Sequence, residues 1–185
     1  MSFRKSFSLI IFQLISLTSL AQKTTVTEGV YYDKKKNCTN YFVMPYGTVS
    51  IPGKWKKGRQ SSVSYQQYFK NEKDSVAIAI AFSSYKNFSF NLKGDLKGFD
   101  FVKKYYEWDS QYLTNNTGLQ REIIKADSMN NYIIWQLNGN AQGVDVDQLF
   151  LFGIKNKNIS NFMINTQKWD IDTKVSFLEN LFLSK

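Results

Sequence analysis

Histidine is absent from all 185 residues of this chain. Imidazole is the usual general base near neutral pH and a common ligand of zinc, so its absence excludes every site that depends on it. Ser-His-Asp and Cys-His nucleophilic sites are excluded, together with zinc sites that use histidine. Catalysis with carboxylates and tyrosines remains open.

Cysteine is almost absent, since Cys38 is the single one. A lone cysteine cannot form a disulfide within the chain, and in an oxidising compartment it can pair only with another molecule. It follows a polar run that includes Lys34, Lys35 and Lys36. The alternatives are an intermolecular disulfide and a thiol without a function, and the lack of a second cysteine nearby favours the second.

Proline is also scarce, with only Pro45 and Pro52. No proline-rich linker divides the chain, and no internal repeat is present. Hydrophobic residues make up 43% and aromatic residues 16%, which is far from the composition of a disordered chain. We expect one folded domain at residues 41–185, preceded by a polar, flexible lead-in at residues 22–40.

The N-terminus has the pattern of a cleavable secretory signal peptide at residues 1–21. Arg4 and Lys5 are followed by an uncharged, apolar run at residues 7–20, and Ser19 and Ala21 place small residues before the expected cut. That run is shorter than the ~20 residues that span a bilayer as a helix. We therefore expect a protein that is exported and released, to the periplasm or outside the cell, with no transmembrane span in the mature chain.

The chain is basic, with 24 Lys and Arg against 15 Asp and Glu and a net charge of +9. A basic exported protein can meet anionic lipid, cell-wall polymer, acidic polysaccharide or an acidic protein. Nucleic acid is not an expected partner in that compartment. Because the lysines are scattered rather than clustered on one stripe, a solvated basic surface explains them best.

The hydrophobic periods predict an α+β domain. Strands are expected at about residues 46–52, 61–69 and 76–82, then a helix from Gly98 to about residue 114, then four more strands and a final helix capped by Asp170 or Asp172. Val76, Ile78, Ile80 and Phe82 share one face of their strand, and small alanines occupy the other, so that face is closely packed or thinly covered. The order β-β-β-α-β-β-β-β-α predicts a mostly antiparallel sheet with two main helices packed on it.

The run Gly-Thr-Val-Ser-Ile-Pro at residues 47–52, with Trp55 shortly after it, is similar to the opening strand, proline and tryptophan of one group of proteins. Together with the order of elements over about residues 46–184, it resembles the PsbP/Mog1-like superfamily of small α/β/α sandwich domains. The resemblance implies a sandwich fold and an accessory or partner-binding role. It implies no common catalytic site.

Two aromatic features are candidate partner-binding sites. Trp55 lies among lysines, where it could stack on a sugar or a lipid headgroup, or instead cap the edge of the sheet with the lysines in solvent. An aromatic stripe on the first helix is more aromatic than an outer helix face usually is, so it is either buried on both sides or a contact surface. This aromatic stripe consists of Phe101, Tyr105, Trp108 and Tyr112.

The acidic residues do not form a recognisable catalytic or metal site. Asp145 and Asp147 lie two apart on a predicted strand, where roles in a hairpin are expected, and Glu107 and Asp109 do not face each other on a helix. No phosphate-binding loop, dinucleotide fingerprint or metal-spaced cysteine set is present. We therefore expect no cofactor and no metal.

The sequence thus favours a non-enzymatic binding or accessory module that contacts a protein partner in the envelope or outside the cell. The alternative is a carboxylate-dependent enzyme that acts on an acidic glycan, which would need two acids across a cleft.

Overall fold

The structure is a computed structural model that describes residues 25–115 and 117–184. The expected signal peptide, residues 1–21, lies outside the described residues. Within these ranges the chain forms ten strands and two α-helices, which are β1 (Thr27–Asp33), β2 (Cys38–Met44), β3 (Gly47–Pro52), β4 (Lys56–Gln60), β5 (Gln67–Asn71), β6 (Val76–Ser84), α1 (Gly98–Thr114), β7 (Gln120–Asp127), β8 (Tyr132–Ala141), β9 (Val144–Lys155), β10 (Asn158–Asn165) and α2 (Ile171–Leu183).

The strands form two antiparallel sheets. A seven-stranded sheet has the order β4-β5-β6-β10-β9-β8-β7, and a three-stranded sheet has the order β1-β2-β3. Strand β10 lies at the centre of the larger sheet, between β6 and β9. Two one-turn 3-10 helices, Tyr85–Asn87 and Ser89–Asn91, connect β6 towards α1.

The larger sheet separates two hydrophobic clusters. On one face the three-stranded sheet and α2 cover it, and this cluster contains Val76, Ile78 and Ile80 of β6. On the other face α1 packs mainly over β7, β8 and β9, and this cluster contains Ala79 of β6 and Met163 of β10. Alternation along each strand sends neighbouring side chains to opposite clusters, which explains the large-small pattern of β6.

The ends of the helices follow from local hydrogen bonding. Asp170 caps α2, because its carboxylate accepts a hydrogen bond from the backbone N–H of Thr173 over 2.7 Å. Helix α1 ends where the backbone N–H of Asn115 donates to the carbonyl of Gln111. Both observations agree with the expected positions of the two helices.

The predicted fold class is confirmed, since two helices pack on antiparallel sheets. Among the described residues six strands precede α1 rather than three, because β1, β2 and β4 were not expected. The expected strand at 61–69 begins only at Gln67. No helix within residues 25–115 or 117–184 is long and apolar enough to cross a membrane.

The expected flexible lead-in at residues 22–40 requires a correction. Strand β1, which lies within this segment, pairs in register with β2, with Val30 opposite Tyr41 and Tyr32 opposite Thr39. The backbone groups of β1 are therefore held in a sheet, although segment 22–40 as a whole is mostly polar. The composition of the segment suggested disorder, whereas the neighbouring strand supplies the hydrogen bonds that order it.

Candidate functional site

Trp55 lies in the core rather than at the expected contact surface. Its side chain is buried, its Nε1–H donates to the carbonyl of Pro52 over 2.7 Å, and its ring centroid lies 6.0 Å from that of Phe177 on α2. The basic residues that follow it, Lys56 and Lys57, are exposed on β4. Trp55 therefore holds α2 and the small sheet together, with the lysines in solvent.

The aromatic stripe of α1 divides into a buried half and an exposed half. Phe101 is fully buried and Tyr105 is 5% exposed, and both belong to the cluster beneath the helix. Trp108 is 44% exposed and Tyr112 is 70% exposed. Phe101 is thus unavailable to a partner in the folded chain, Tyr105 exposes only a small part of its side chain, and Trp108 and Tyr112 remain at the surface.

Trp108 and Tyr112 line a cleft with a volume of about 840 Å³. Helix α1 packs over β7, β8 and β9, which leaves the part of the same sheet face over β6 and β10 open between α1 and segment 61–66. The cleft has a volume that suits a small organic ligand or a few side chains of a partner. Its walls and floor include Tyr65, Gln66, Ala81, Phe88, Tyr105, Trp108, Asp109, Tyr112, Phe150, Asn161 and Met163.

The floor of the cleft is built by cross-strand neighbours. Asn161 on β10 lies opposite Ala81 on β6, and Met163 lies opposite Phe150 on β9. The sheet register places these side chains next to one another on the face towards α1. Because Ala81 ends at its methyl group, it leaves room above the sheet at this position of β6.

A chain of hydrogen bonds crosses the floor and joins its two sides. The Gln66 Nε2–H donates to Asn161 Oδ1 over 3.0 Å, and the Asn161 Nδ2–H donates to the Tyr105 hydroxyl over 2.8 Å. The Ser64 hydroxyl donates in turn to Gln66 Oε1 over 3.0 Å. Gln66, Asn161 and Tyr105 are all buried. Since buried polar groups cost free energy unless they are paired, this network fixes segment 61–66 and α1 to the central strand.

Asp109 lies one turn beyond Tyr105 on α1 and is half-buried at the cleft. Burial raises the pKa of its carboxyl to about 6. Burial also raises the pKa of the Tyr105 hydroxyl, and the nearby charge of Asp109 raises it further, so Tyr105 stays neutral. No described residue forms a hydrogen bond or ion pair with the Asp109 side chain.

The electrostatic character of the cleft differs from that of the chain. The whole chain carries a net charge of +9. In the described part of the chain, however, no lysine or arginine lines the cleft, and Asp109 is its single charged side chain. Aromatic rings, with their negative faces, form much of the remaining wall. The cleft therefore presents a negative, apolar environment on a basic protein.

Asp147 and Asp145, the acidic pair of the sequence analysis, both have structural partners. Asp147 on β9 accepts hydrogen bonds from Lys174 on α2 and from Gln136 on β8, each over 2.8 Å. Asp145, which precedes it on the same strand, is exposed and accepts from the Asn140 side chain across the hairpin. The expected hairpin role thus fits Asp145, whereas Asp147 joins α2 to the sheet.

The residues at the cleft do not supply a second acid for carboxylate catalysis. A glycosidase needs two carboxyl groups across the bond that it cleaves, and Asp109 is the one carboxylate among the described lining residues. Glu107, two positions earlier on α1, is exposed and forms an ion pair with Lys104. Within residues 25–115 and 117–184, no three His, Cys, Asp or Glu side chains form a group that could hold a metal ion.

The aromatic stripe predicted Trp108 and Tyr112 as site residues, whereas Asp109 and the wall opposite them were not predicted. The available signals were a polar Asn161 directly before the apolar run of β10, and a small Ala81 opposite it on the paired strand. The position of segment 61–66 depends on contacts that are distant in sequence, such as that between Gln66 and Asn161. No local pattern could have indicated it.

No protein-family model matches the chain, and no curated protein matches it. Among solved structures, the chain is similar to the solution structure of cyanobacterial PsbP (CyanoP) from Synechocystis sp. PCC 6803. The two are 13% identical in sequence, the match covers 89% of this chain and 95% of the other, and the TM-score is 0.47.

Proposed function

We propose that this protein is an exported binding or accessory module that contacts a protein partner of the envelope, or of the secreted fraction, through the cleft beside α1. The observation that carries the proposal is the exposure of Trp108 and Tyr112 at the border of a cleft of about 840 Å³. Large aromatic side chains at the centre of an interface contribute much of its binding free energy.

The support beneath these two side chains favours recognition by a preformed surface. The Trp108 ring contacts Phe88 and Phe90, with centroids 6.3 Å and 5.7 Å away. Tyr105, one turn before Trp108, stacks on Phe152 at 4.2 Å and accepts the hydrogen bond from Asn161. A surface held in this way loses little conformational entropy when a partner binds, and this favours affinity.

Affinity capture tests the cleft as the contact surface. The full chain, expressed with its own N-terminus and purified, is immobilised and exposed at moderate salt to envelope and secreted proteins of the organism that encodes it. We expect a protein that the native chain retains and that the double variant Trp108→Ala, Tyr112→Ala retains about tenfold less, the loss of about 1.4 kcal/mol.

The matched control is Tyr31→Ala, which removes an aromatic side chain that is 57% exposed on β1 and does not line the cleft. It should retain the partner like the native chain. Equal retention by all three proteins would reject the cleft as the contact surface. Export is tested separately by the intact mass of the secreted product, which should lack residues 1–21.

A further inference from the structure

The chemistry of the cleft indicates what kind of group it accepts. A desolvated carboxylate without a protein partner is costly, and its most favourable neighbour is a cation. Asp109 is such a carboxylate among the described residues, and the other polar groups of the floor, on Gln66 and Asn161, already bond to each other. Asp109 is therefore the group left for a ligand.

The aromatic walls favour the same kind of ligand. Cations are attracted to the faces of aromatic rings within about 6 Å of the centroid, and tryptophan is the strongest of these partners. Trp108, Tyr112, Tyr65 and Phe88 border the cleft, and the first three are at least 44% exposed. The same rings give an apolar surface for the uncharged part of the ligand.

We propose that the cleft binds an organic ammonium group attached to an apolar or aromatic body, with the ammonium at the Asp109 carboxylate and the body against Trp108 and Tyr112. The inference rests on the proposed function, because it names the group that the partner presents to the same cleft. A positively charged lining would favour an anion, but no lysine or arginine lines the described cleft.

Three small probes of matched shape test the charge preference. The full chain is titrated at pH 7.5 with 2-phenylethylammonium, with neutral 2-phenylethanol and with anionic phenylacetate, and binding is followed by amide and indole NMR shifts. We expect the ammonium to bind at least fivefold more tightly than the alcohol. Phenylacetate should not shift the cleft signals, because Asp109 repels it.

Two variants assign the preference to the proposed groups. Asp109→Asn should lower the ammonium affinity about tenfold, to that of the alcohol, and leave the alcohol affinity unchanged. Asp95→Asn is the matched control, since Asp95 is exposed and does not line the cleft. It should keep the native preference.

The preference of the cleft for the ammonium over the alcohol should also weaken as the pH falls through about 6, where the Asp109 carboxyl gains a proton. The other titratable side chains that line the described cleft are phenols, of Tyr65 and Tyr68 from one wall and of Tyr105 and Tyr112 from α1. Phenols do not change charge between pH 5 and 8. A loss of ammonium affinity in this range is therefore assigned to Asp109.

The outcomes separate this inference from the proposed function. If the alcohol binds as tightly as the ammonium, or Asp109→Asn keeps the preference, the ammonium inference is overturned while the cleft stands as a binding site. If none of the probes shifts a cleft signal, the inference is overturned as well, and the capture experiment alone decides whether a protein uses the surface.

Discussion

Asn161 on β10 donates a hydrogen bond from its side-chain nitrogen to the hydroxyl of Tyr105 on α1, over 2.8 Å and away from solvent. The same amide accepts a hydrogen bond from Gln66, so one side chain of the central strand binds both sides of the cleft. The shape of the cleft thus depends on one buried polar side chain of the central strand. This dependence makes Asn161 the first position to test.

Replacing Asn161 with alanine should lower the free energy of unfolding by about 1–3 kcal/mol, because Gln66 and Tyr105 would then be buried without their partners. Urea denaturation of the variant measures the change. Asn165→Ala is the control, since Asn165 is exposed on the same strand, and its effect should stay within about 0.5 kcal/mol. Equal stabilities of the two variants would contradict the role of the network.

Asp109→Asn should stabilise the protein at neutral pH. The Asp109 carboxyl holds its proton up to about pH 6 in the folded chain, whereas it ionises near its ordinary value of 3.8 in the unfolded chain. The unfolded state is therefore favoured as the pH rises from about 4 to 6, and Asp109 lowers the free energy of unfolding above this window but not below it.

The size of the stabilisation by Asp109→Asn follows from the upward shift in the pKa of the Asp109 carboxyl. One pKa unit corresponds to about 1.4 kcal/mol, and solvent screening of a half-buried charge reduces the gain of the variant to about 1–2 kcal/mol. Thermal unfolding at pH 3.5 and at pH 7.5 measures it, with Asp95→Asn as the exposed control. A gain that is equal at both pH values would show that the charge of Asp109 is not its cause.

The elements that could be predicted from the sequence are those in which hydrophobic residues recur at the spacing of one buried face. The alternation of Val76, Ile78 and Ile80 predicted both β6 and the face that contacts the small sheet. The period of α2 and its Asp170 cap predicted the last helix. In these segments the spacing of the hydrophobic residues matches the side chains that are buried, so the sequence indicates both the type of element and its buried face.

Edge strands account for most of the difference between expectation and structure. All five residues of β4, at the edge of the larger sheet, are exposed, and β1 is the edge strand of the smaller sheet. Such strands form through backbone hydrogen bonds to a neighbour, so their side chains need no hydrophobic period. Their sequences resemble those of polar loops.

The candidate site was predictable only in its aromatic half. The period of α1 placed Trp108 and Tyr112 on one stripe, but helical spacing also placed Phe101 and Tyr105 there, and the coverage by Phe88 and Phe90 buries those two. Which half of a stripe stays exposed depends on the segment that crosses it. Phe88 and Phe90 precede α1 in the chain, and the sequence does not indicate the path of the loop that brings them back over the helix.

Trp55 and Trp108 should respond in opposite ways to truncation. Trp55→Ala removes a buried ring and its hydrogen bond to Pro52, so we expect a loss of about 3–5 kcal/mol in unfolding free energy and no change in the ammonium preference of the folded protein. Trp108→Ala should cost about 1 kcal/mol, because the ring is 44% exposed. It should also weaken the binding of both 2-phenylethylammonium and 2-phenylethanol. Urea denaturation and the NMR titration measure the two effects, and a reversed order would contradict this assignment.

The ion pair between Asp147 and Lys174 should be asymmetric in its effect on stability. The Lys174 side chain is 4% exposed and that of Asp147 is 39% exposed, with 2.8 Å between Nζ and Oδ2. Removing the carboxylate leaves a buried ammonium without its partner, whereas removing the ammonium leaves a carboxylate that water and Gln136 still contact. Asp147→Asn should therefore cost about 3 kcal/mol, and Lys174→Met should cost less.

The ion pair between Asp147 and Lys174 also determines the direction in which the stability of the native protein changes with pH. Burial by itself raises the pKa of the Asp147 carboxyl, but the hydrogen bonds from Lys174 and Gln136 and the charge of Lys174 together place it below its ordinary value. The stabilisation is thus complete above the ordinary value of 3.8 and is lost as the pH falls through the lower, folded value. Urea denaturation from pH 7 to pH 2 should show the gap between the native chain and Asp147→Asn closing only at the acid end. Asp145→Asn, on the exposed neighbour of the same strand, should show no such gap at any pH, and an equal gap for both variants would assign the effect to the hairpin instead of the ion pair.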